Sequence, residues 1–404
     1  MKYDVVIVGG GPAGSTAAKF LSEKEISVLI IEKDKLPRNK PCGGGLTRRV
    51  LDNYSYVNDK SMIECYTYTN ITHSPSLKNK IEVEDKKPLI GMVLREKFDY
   101  GLVRLAIEKG AEILDGVKVV DIKIEDEKVL TYLDNGNKIE SKIIIGADGF
   151  RSIVAKKTGL KTKPNDYAVC VLKEIYLDEK TLDKYFTKSR ESHIYTRVQD
   201  IRGYGWVFPK KNHVNIGIGE FIFQDDNKSK TNLIIIFKKF IELLKEEKII
   251  PSNVEINKFE GGAEPINTLN KTYSNRVVLI GDAAGFVCPT SGEGIYFSMR
   301  SGEIAAEIIK KAIDKKDFSE NSLSIYQKKW KKDFGKELKL LYKLRKKNQK
   351  GINEKIFKIA NFDNKLGKMI IHLGIGTYSY PSYKWKVLKQ YFKSYIKYKL
   401  KRKN

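Results

Sequence analysis

The sequence predicts an α/β protein in which a discontinuous dinucleotide-binding domain carries an inserted, mainly antiparallel β-sheet domain and a helical C-terminal region. A glycine-rich turn lies between a buried strand and a helix at the N-terminal end. Two further glycine-containing turns follow buried apolar strands much later in the chain. The segments between them alternate apolar and polar residues, which is typical of antiparallel strands.

Length and composition fit this division. The chain has 404 residues, of which 41% are hydrophobic and 31% charged, so it can form two packed cores and is not disordered. We place the nucleotide-binding domain at residues 1–52, 91–165 and 266–311. The sheet domain takes residues 53–90 and 166–265, and the lysine-rich helical region takes residues 312–404. A helix is also predicted inside the sheet domain, over residues 231–247.

The first glycine-rich turn has the spacing of a Rossmann-type dinucleotide site. Gly9, Gly11 and Gly14 form GxGxxG directly after a strand and before a helix. Glycines at these positions permit a tight turn, close approach of a pyrophosphate and close helix–strand packing. The predicted helix begins at Pro12, and its first turn, which includes Ala13, offers free N–H groups to the phosphates. Glu32 ends the next strand, where a carboxylate can accept hydrogen bonds from a ribose hydroxyl.

Two later motifs indicate which dinucleotide is bound. IIIGADGFRSIV contains Asp148, and VVLIGDAAGFVCPTSGEGI contains Asp282. They resemble the DG and GD motifs of the FAD-dependent group A hydroxylases, which implies a hydroxylase-like FAD-binding domain. The resemblance implies that Asp282 binds the ribityl chain. It also implies that a helix starting near Gly294, flanked by Gly292 and Ile295, directs its positive end at the flavin. The predicted cofactor is therefore FAD.

The same resemblance suggests two further cofactor contacts. LREKFDYGL looks like the RxxFDxxL segment of these proteins, which implies that Arg95 contacts FAD while Phe98 and Leu102 pack the helix. The alternative is that Arg95 forms a surface ion pair. Val119, in GVKVVDI, matches the strand position whose backbone contacts adenine.

Two cysteines flank the predicted flavin site. In KPCGGGL, Cys42 precedes three glycines, and Gly43 and Gly45 would let the backbone lie flat against a planar ring. Cys288 lies in the loop of the GD motif. We predict that both thiols lie near the flavin and act as a proton donor or as a redox pair. The alternative is two small buried residues that never meet.

An aromatic strand predicts an apolar site. IRGYGWVFPK places Tyr204, Trp206 and Phe208 on one face of a strand that ends at Pro209. PCGGGL and YxWxFP together resemble the geranylgeranyl reductase family, which includes the archaeal digeranylgeranylglycerophospholipid reductases. The likeness covers roughly residues 1–310, with Ile201 where the family pattern usually has a proline. It implies that reduced flavin saturates isoprenoid double bonds, with Tyr204, Trp206 and both cysteines as catalytic candidates and the aromatic motif as the binding channel.

Other functions stay open at this point. A flavin monooxygenase or halogenase shares the fold, although a halogenase is expected to carry WxWxIP where this chain has YGWVFP. A lipid-associated electron-transfer flavoprotein without chemistry of its own is a third possibility. The chain has one dinucleotide-binding unit, assigned to FAD, so an external donor must reduce the flavin. Ferredoxin, NAD(P)H and a deazaflavin are equally compatible with the sequence.

The charge distribution suggests a membrane surface as partner. The formal net charge is +25, and no acidic residue occurs between Asn364 and Asn404. Near the C-terminus, Trp385, Phe392 and Ile396 recur at near-helical spacing among lysines, which is typical of a basic amphipathic helix on a membrane. The rival interpretation is a helix packed on the core. No nucleic-acid motif, apolar span, signal peptide or metal-ligand spacing is present, so we predict a cytoplasmic protein on the inner face of the cell membrane.

Overall fold

The computed structural model describes residues 2–161, 166–224, 232–256, 258–349 and 353–401. Its strands are β1 Lys2–Val8, β2 Val28–Glu32, β3 Gly45–Thr47, β4 Cys65–Thr67, β5 Thr69–His73, β6 Lys80–Glu84, β7 Ile90–Met92, β8 Glu112–Asp115, β9 Val119–Ile124, β10 Val129–Leu133, β11 Lys138–Gly146, β12 Tyr167–Tyr176, β13 Ser192–Thr196, β14 Gly203–Pro209, β15 His213–Ile222, β16 Glu260–Pro265, β17 Tyr273–Ser274 and β18 Val277–Leu279. Its helices are α1 Pro12–Ser22, α2 Arg48–Asn53, α3 Arg95–Glu108, α4 Ile153–Lys157, α5 Glu179–Phe186, α6 Leu233–Glu246, α7 Ile295–Lys315, α8 Glu320–Trp330, α9 Lys336–Lys347, α10 Glu354–Phe362, α11 Asn364–Gly374 and α12 Tyr380–Lys401. The helix predicted over residues 231–247 is α6, and residue 231 lies outside the described residues.

The chain forms two compact units. Unit 1 consists of Met1–Lys40, Arg95–Asp166 and Glu264–Tyr342, and unit 2 consists of Pro41–Leu94, Tyr167–Ala263 and Lys343–Asn404. The glycine segment that follows Pro41 therefore belongs to unit 2, whereas it was predicted to lie in the nucleotide-binding domain. The C-terminal region, predicted as one part, is divided between the two units at residue 342.

Side-chain contacts explain this division. In α8, the Tyr326 hydroxyl donates to the Leu279 carbonyl at 2.9 Å, which fastens the helix to unit 1. Further along the chain, Phe357 of α10 and Ile371 of α11 form an apolar cluster with Ile81 of β6, which fastens them to unit 2. Among the described residues, no helix has the length and apolar composition that crossing a bilayer requires.

Unit 1 contains a doubly wound sheet. Its strand order is β17-β18-β11-β1-β2-β8, with β10 pairing β11 and β9 pairing β10. The five strands from β18 to β8 run parallel, as the Rossmann-type prediction requires. Helix α1 connects β1 to β2, and both strands are buried runs of Val, Ile and Leu. The carboxyl ends of β1 and β2 meet at one sheet edge, which is where ligands bind in such sheets.

Unit 2 contains the predicted antiparallel sheet. Its strand order is β16-β12-β15-β14-β13-β5-β6, and a small second sheet has the order β3-β7-β4. The pairs β12–β15, β15–β14, β14–β13 and β5–β6 are antiparallel, whereas β13 and β5, which come from different insertions, are parallel. Helix α6 buries Phe237 and Phe240 in the apolar core of this unit.

Candidate functional site

Each of the three glycines in the first motif is needed for a different physical reason. Gly9 has φ +108°, and a Cβ there would lie 2.4 Å from the Ala147 carbonyl oxygen. A Cβ at Gly14 would lie 2.0 Å from the Gly9 carbonyl oxygen. Gly11 differs, because a Cβ there would meet only Arg38 Nη2 at 3.7 Å. The protein itself requires Gly9 and Gly14, and the open space at Gly11 fits a ligand that approaches the backbone.

An ion-pair cluster adjoins this loop at the carboxyl end of β2. Glu32 accepts a hydrogen bond from the Gly10 amide at 2.9 Å and lies 3.5 Å from Arg38 Nε. Arg38 Nη1 donates to the fully buried Asp99 at 2.8 Å. Asp99 also accepts two hydrogen bonds from Arg95, both at 2.8 Å. Burial alone would raise the pKa of Asp99, but the charges of Arg95 and Arg38 outweigh it and hold this pKa below its ordinary value.

This cluster changes the role expected of Arg95. The predicted alternatives were a cofactor contact or a surface ion pair, and the structure places Arg95 in a buried ion pair on α3. Its contact with FAD stays a prediction. Arg38, which the sequence analysis did not single out, is the guanidinium beside Gly11 and Glu32. Its signal in the sequence was a basic residue in the loop that follows the second strand, at the sheet edge where phosphates bind.

Asp148 binds the start of α4 and lies next to the first glycine motif. Its carboxylate accepts hydrogen bonds from Ser152 Oγ and the Ile153 amide, both at 2.6 Å, and so caps α4. Its Cα lies 3.1 Å from the position that a Cβ at Gly9 would occupy. Val119, the first residue of β9, is buried in unit 1. Direct contacts of both residues with FAD stay predictions.

The GD motif brings Asp282 to the start of α7. Asp282 Oδ1 lies 3.4 Å from the position that a Cβ at Gly294 would occupy, and Oδ2 lies 3.6 Å from Lys40 Nζ. Helix α7 starts at Ile295, as predicted, and has no acidic residue in its first turn. Glu293 accepts a hydrogen bond from the Tyr296 amide at 2.6 Å, however. The helix end therefore has a partial cap of its own, which weakens the positive field predicted there.

Cys288 lies in a tight turn that precedes α7. The Gly292 amide, at φ +67°, donates to the Cys288 carbonyl at 3.0 Å, and the Cys288 thiol lies 3.2 Å from Thr290 Oγ1. Burial raises the pKa of the Cys288 thiol. The thiol therefore keeps its proton at neutral pH. All four cysteines are free thiols in the structure.

The glycine segment of unit 2 packs against an aromatic side chain. A Cβ at Gly43 would lie 3.1 Å from Phe208, and one at Gly45 would lie 3.3 Å from it. Between them, Gly44 has φ +73° and donates its amide to Cys42 Sγ at 3.4 Å. The glycines thus let the backbone approach Phe208. Their predicted contact with the flavin stays a prediction.

Tyr204, Trp206 and Phe208 share one face of β14, as predicted. The ring centroids of Tyr204 and Trp206 are 5.8 Å apart, and those of Trp206 and Phe208 are 6.5 Å apart. The neighbouring strand β15 has glycines opposite the first two rings, since Tyr204 pairs with Gly219 and Trp206 with Gly217. A Cβ at Gly217 would lie 2.2 Å from the Trp206 ring. We name these rings, which end at Pro209, the aromatic face.

A buried polar network supports the Phe208 end of the aromatic face. The ammonium of Lys210, only 1% exposed, lies 2.6 Å from Glu174 Oε2. Asn215 donates to the same oxygen at 2.8 Å and to the Cys42 carbonyl at 3.2 Å. It also accepts a hydrogen bond from Trp206 Nε1 at 2.7 Å. The sequence does not reveal this network, because its members lie far apart along the chain and meet only in the folded unit.

The geometry of Gly11 allows a direct test of the cofactor site. Its backbone has φ −80°, which alanine can adopt, and the space around it is open. We expect Gly11→Ala to keep its stability within about 0.5 kcal/mol while FAD affinity falls about 10- to 100-fold. Titration of apoprotein with FAD checks this. Gly374→Ala, which also meets open space, is the matched control, and equal FAD affinity of the two variants would contradict the assignment.

Comparison with known proteins places this geometry in a family. The family described as an FAD binding domain matches residues 2–324. The chain is 32% identical over 349 residues to digeranylgeranylglycerophospholipid reductase 1 of Methanopyrus kandleri, covering 83% of this chain and 87% of the relative. The crystal structure of a geranylgeranyl bacteriochlorophyll reductase-like protein from Thermoplasma acidophilum aligns with a TM-score of 0.79 at 26% identity, covering 97% and 99% of the two chains.

A more distant structure extends the likeness in fold alone. The flavin-dependent brominase Bmp2 aligns with a TM-score of 0.73 at 21% identity, covering 99% of this chain and 100% of the brominase. The glycine loop, Glu32 and Arg38 of unit 1 fit a dinucleotide, and the family fixes that dinucleotide as FAD. The chain therefore belongs to the FAD binding domain family, and within it to the group that contains the digeranylgeranylglycerophospholipid reductases.

Proposed function

We propose that this chain is an FAD-dependent reductase that saturates double bonds in the isoprenoid chains of a membrane lipid or its precursor. The observation that carries this proposal is the aromatic face of unit 2, in a chain that belongs to this family. When bound and reduced, FAD would supply the hydride that such a reduction needs. The chain itself must bind the isoprenoid, hold the alkene in place, exclude water and provide a proton.

The aromatic face supplies the binding and the exclusion of water. Tyr204 and Phe208 are half-buried, and Trp206 is buried, so the face offers ring surface with one indole N–H already satisfied by Asn215. Burying an isoprenoid chain there contributes roughly 0.8 kcal/mol per CH₂. Ring faces also stabilise positive charge that develops on the alkene as it is protonated. Tyr204 and Trp206 are therefore the proposed catalytic residues on this face.

Cys288 and Cys42 are the proposed sources of the proton. Because burial raises the pKa of Cys288, its thiol holds a proton that can be donated. Cys42 follows Pro41 at the glycine segment, and its sulfur already accepts a hydrogen bond from Gly44. A redox pair of these two cysteines remains the second version of the proposal. Full turnover by Cys42→Ser would exclude Cys42 from both versions.

The reaction is tested by mass spectrometry of lipids. We expect dithionite-reduced protein to convert geranylgeranylated lipids into products heavier by two hydrogens for each double bond reduced. The matched control is the Gly11→Ala protein without added FAD, which should give no product. No mass gain with any isoprenoid lipid would contradict the proposed function and would favour a lipid-associated electron-transfer protein.

The likeness in fold to a halogenase makes oxygen chemistry the second candidate. A monooxygenase or halogenase consumes oxygen when substrate binds, whereas a reductase works under anaerobic conditions. Anaerobic turnover with ferredoxin, NAD(P)H or a deazaflavin offered one at a time distinguishes these functions and identifies the external electron donor. Oxygen uptake that requires the isoprenoid would overturn the reductase proposal.

We further propose that α12 holds the protein on the inner face of the cell membrane. The helix packs on unit 2 through its polar side, where Ser394 and Gln390 both donate to Asp363. On the opposite side, Trp385 and Phe392 are 68% and 61% exposed. Lysines lie among these exposed apolar residues, and each lysine near an anionic lipid contributes on the order of 1 kcal/mol.

Vesicle co-sedimentation tests the role of α12. We expect the full chain to bind vesicles of phosphatidylglycerol much more strongly than vesicles of phosphatidylcholine. Replacing Trp385, Phe392 and Ile396 together by serine should lower binding about 10-fold or more, because apolar surface no longer enters the interface. Ile234→Ser/Ile235→Ser, at exposed positions of α6, is the matched control. Equal binding by the two variants would exclude α12 as the contact.

A further inference from the structure

The aromatic face continues beyond Tyr204 to a pair of arginines. Side chains two residues apart on a strand share a face, so Arg202 precedes Tyr204 on the side that carries the three rings. Across the sheet, Phe221 donates its amide to the Arg202 carbonyl at 3.1 Å, one position beyond the pair Gly203–Glu220. Phe221 therefore lies on the same side, at the end opposite the Lys210 network.

Arg345, near the end of α9, covers this end of the face. Its guanidinium carbon lies 4.1 Å from the centroid of the Phe221 ring, and Nη2 donates to the Arg202 carbonyl at 2.5 Å. The residue is 8% exposed, and its buried Nε has no hydrogen-bond partner. Within the described ranges, no carboxylate pairs with Arg345. Buried arginines are ordinarily paired, so this position is suited to an anion.

The electrostatic surroundings agree with an anion site. Burial lowers the pKa of Arg345 to about 10, Tyr204 raises it, and Arg202 lowers it. Arg202 thus adds a second positive charge near this guanidinium, and its own Nη1 donates to Gln349 Oε1 at 2.8 Å. Guanidinium groups bind phosphate with two parallel hydrogen bonds. The Nε of Arg345, which has no partner, is available for one of them.

We propose that Arg345 binds the phosphate group of the substrate at the Tyr204 end of the aromatic face. This rests on the proposed function, and it gives the lipid a direction. The headgroup lies at Arg345, and the isoprenoid chain runs past Tyr204 and Trp206 to Phe208. The strand extends about 13 Å from Tyr204 to Phe208. The isoprenoid chain lies along this length while Arg345 holds the phosphate at its end.

The preference between two substrates tests this inference. Geranylgeranyl phosphate and geranylgeraniol share one chain and differ in the phosphate. We expect Arg345→Met to raise KM for geranylgeranyl phosphate about 10- to 100-fold relative to KM for geranylgeraniol, with kcat for both unaffected by the missing charge. Arg197→Met, which removes a guanidinium paired with Asp200 in the same unit, is the matched control and should keep the wild-type preference.

Each other outcome has a definite meaning. An equal rise of KM for both compounds would assign Arg345 a structural role, and an unchanged preference would place the phosphate elsewhere. Inorganic phosphate should compete with geranylgeranyl phosphate but not with geranylgeraniol. Inhibition of both substrates would mean that Arg345 binds free phosphate and not the phosphate of the lipid, which would contradict the proposal. If the wild-type protein reduces neither compound, the proposed function fails. The affinities of the two compounds, measured by quenching of tryptophan fluorescence in the wild-type protein and in Arg345→Met, then still decide whether Arg345 recognises the phosphate.

Discussion

Lys210→Met is expected to lower the free energy of unfolding by about 3–5 kcal/mol. The substitution removes the positive partner of Glu174, whose side chain is 26% exposed, from a position where Lys210 itself is only 1% exposed. Glu174 Oε1 already lacks a partner, so the carboxylate would keep only the hydrogen bond from Asn215. Denaturant titration monitored by fluorescence and circular dichroism measures the change.

Two variants keep this prediction interpretable. Lys211→Met removes an exposed neighbouring charge and should change stability by less than about 0.5 kcal/mol. Glu174→Met/Lys210→Met removes both charges together and should recover most of the loss, because an apolar pair of similar volume can replace a buried ion pair. If Lys210→Met is as stable as Lys211→Met, the buried pair does not contribute to folding.

Asp99→Asn is expected to destabilise unit 1 by about 3–5 kcal/mol and to weaken FAD binding. The carboxylate holds Arg95 through two hydrogen bonds and Arg38 through one, and the neutral amide would remove the buried negative charge that these two guanidinium groups share. Arg38 would then lose its fixed position beside Gly11 and Glu32. Glu108→Gln, on the exposed side of the same helix, is the matched control with an expected change below about 0.5 kcal/mol.

The stabilisation that Asp99 gives the wild-type protein should decrease at acidic pH. The pKa of Asp99 in the folded protein lies below its ordinary value, so the unfolded chain binds the proton more readily. The stabilisation by Asp99 is therefore fully present above the pKa of the unfolded state, about 4, and is lost as the pH falls through the folded pKa. The difference in unfolding free energy between the wild-type chain and Asp99→Asn should shrink in that acidic range. A difference that stays constant down to acidic pH would contradict the assignment.

The sequence predicted the nucleotide-binding half well because its signals are local. Gly9, Gly11 and Gly14 lie within one turn, and the strands on either side are continuous apolar runs. The face shared by Tyr204, Trp206 and Phe208 follows from the period of a strand and was also predictable. These features depend on spacing along the chain, which a single sequence displays directly.

The remaining features depend on pairing between distant segments. Arg38 and Asp99 are 61 residues apart, and Asn215 is 173 residues from Cys42. Gly217 leaves space for the Trp206 ring only because β14 and β15 pair in this register. Arg345 is one basic residue among many in a lysine-rich helix, and nothing in the local sequence marks it as buried. Such roles appear only when the strand register is known.

The division of the chain into units has a consequence for its synthesis on the ribosome. The chain passes between units 1 and 2 five times, at residues 40, 94, 166, 263 and 342. In unit 1, β1 ends at Val8, but its neighbour β11 ends at Gly146, and the next strand β18 ends at Leu279. The first strand to be translated therefore keeps one unpaired apolar edge until β11 has emerged, and β11 in turn keeps an unpaired edge until β18 has emerged. No single deletion or truncation isolates either unit, because each consists of three separate segments of the chain.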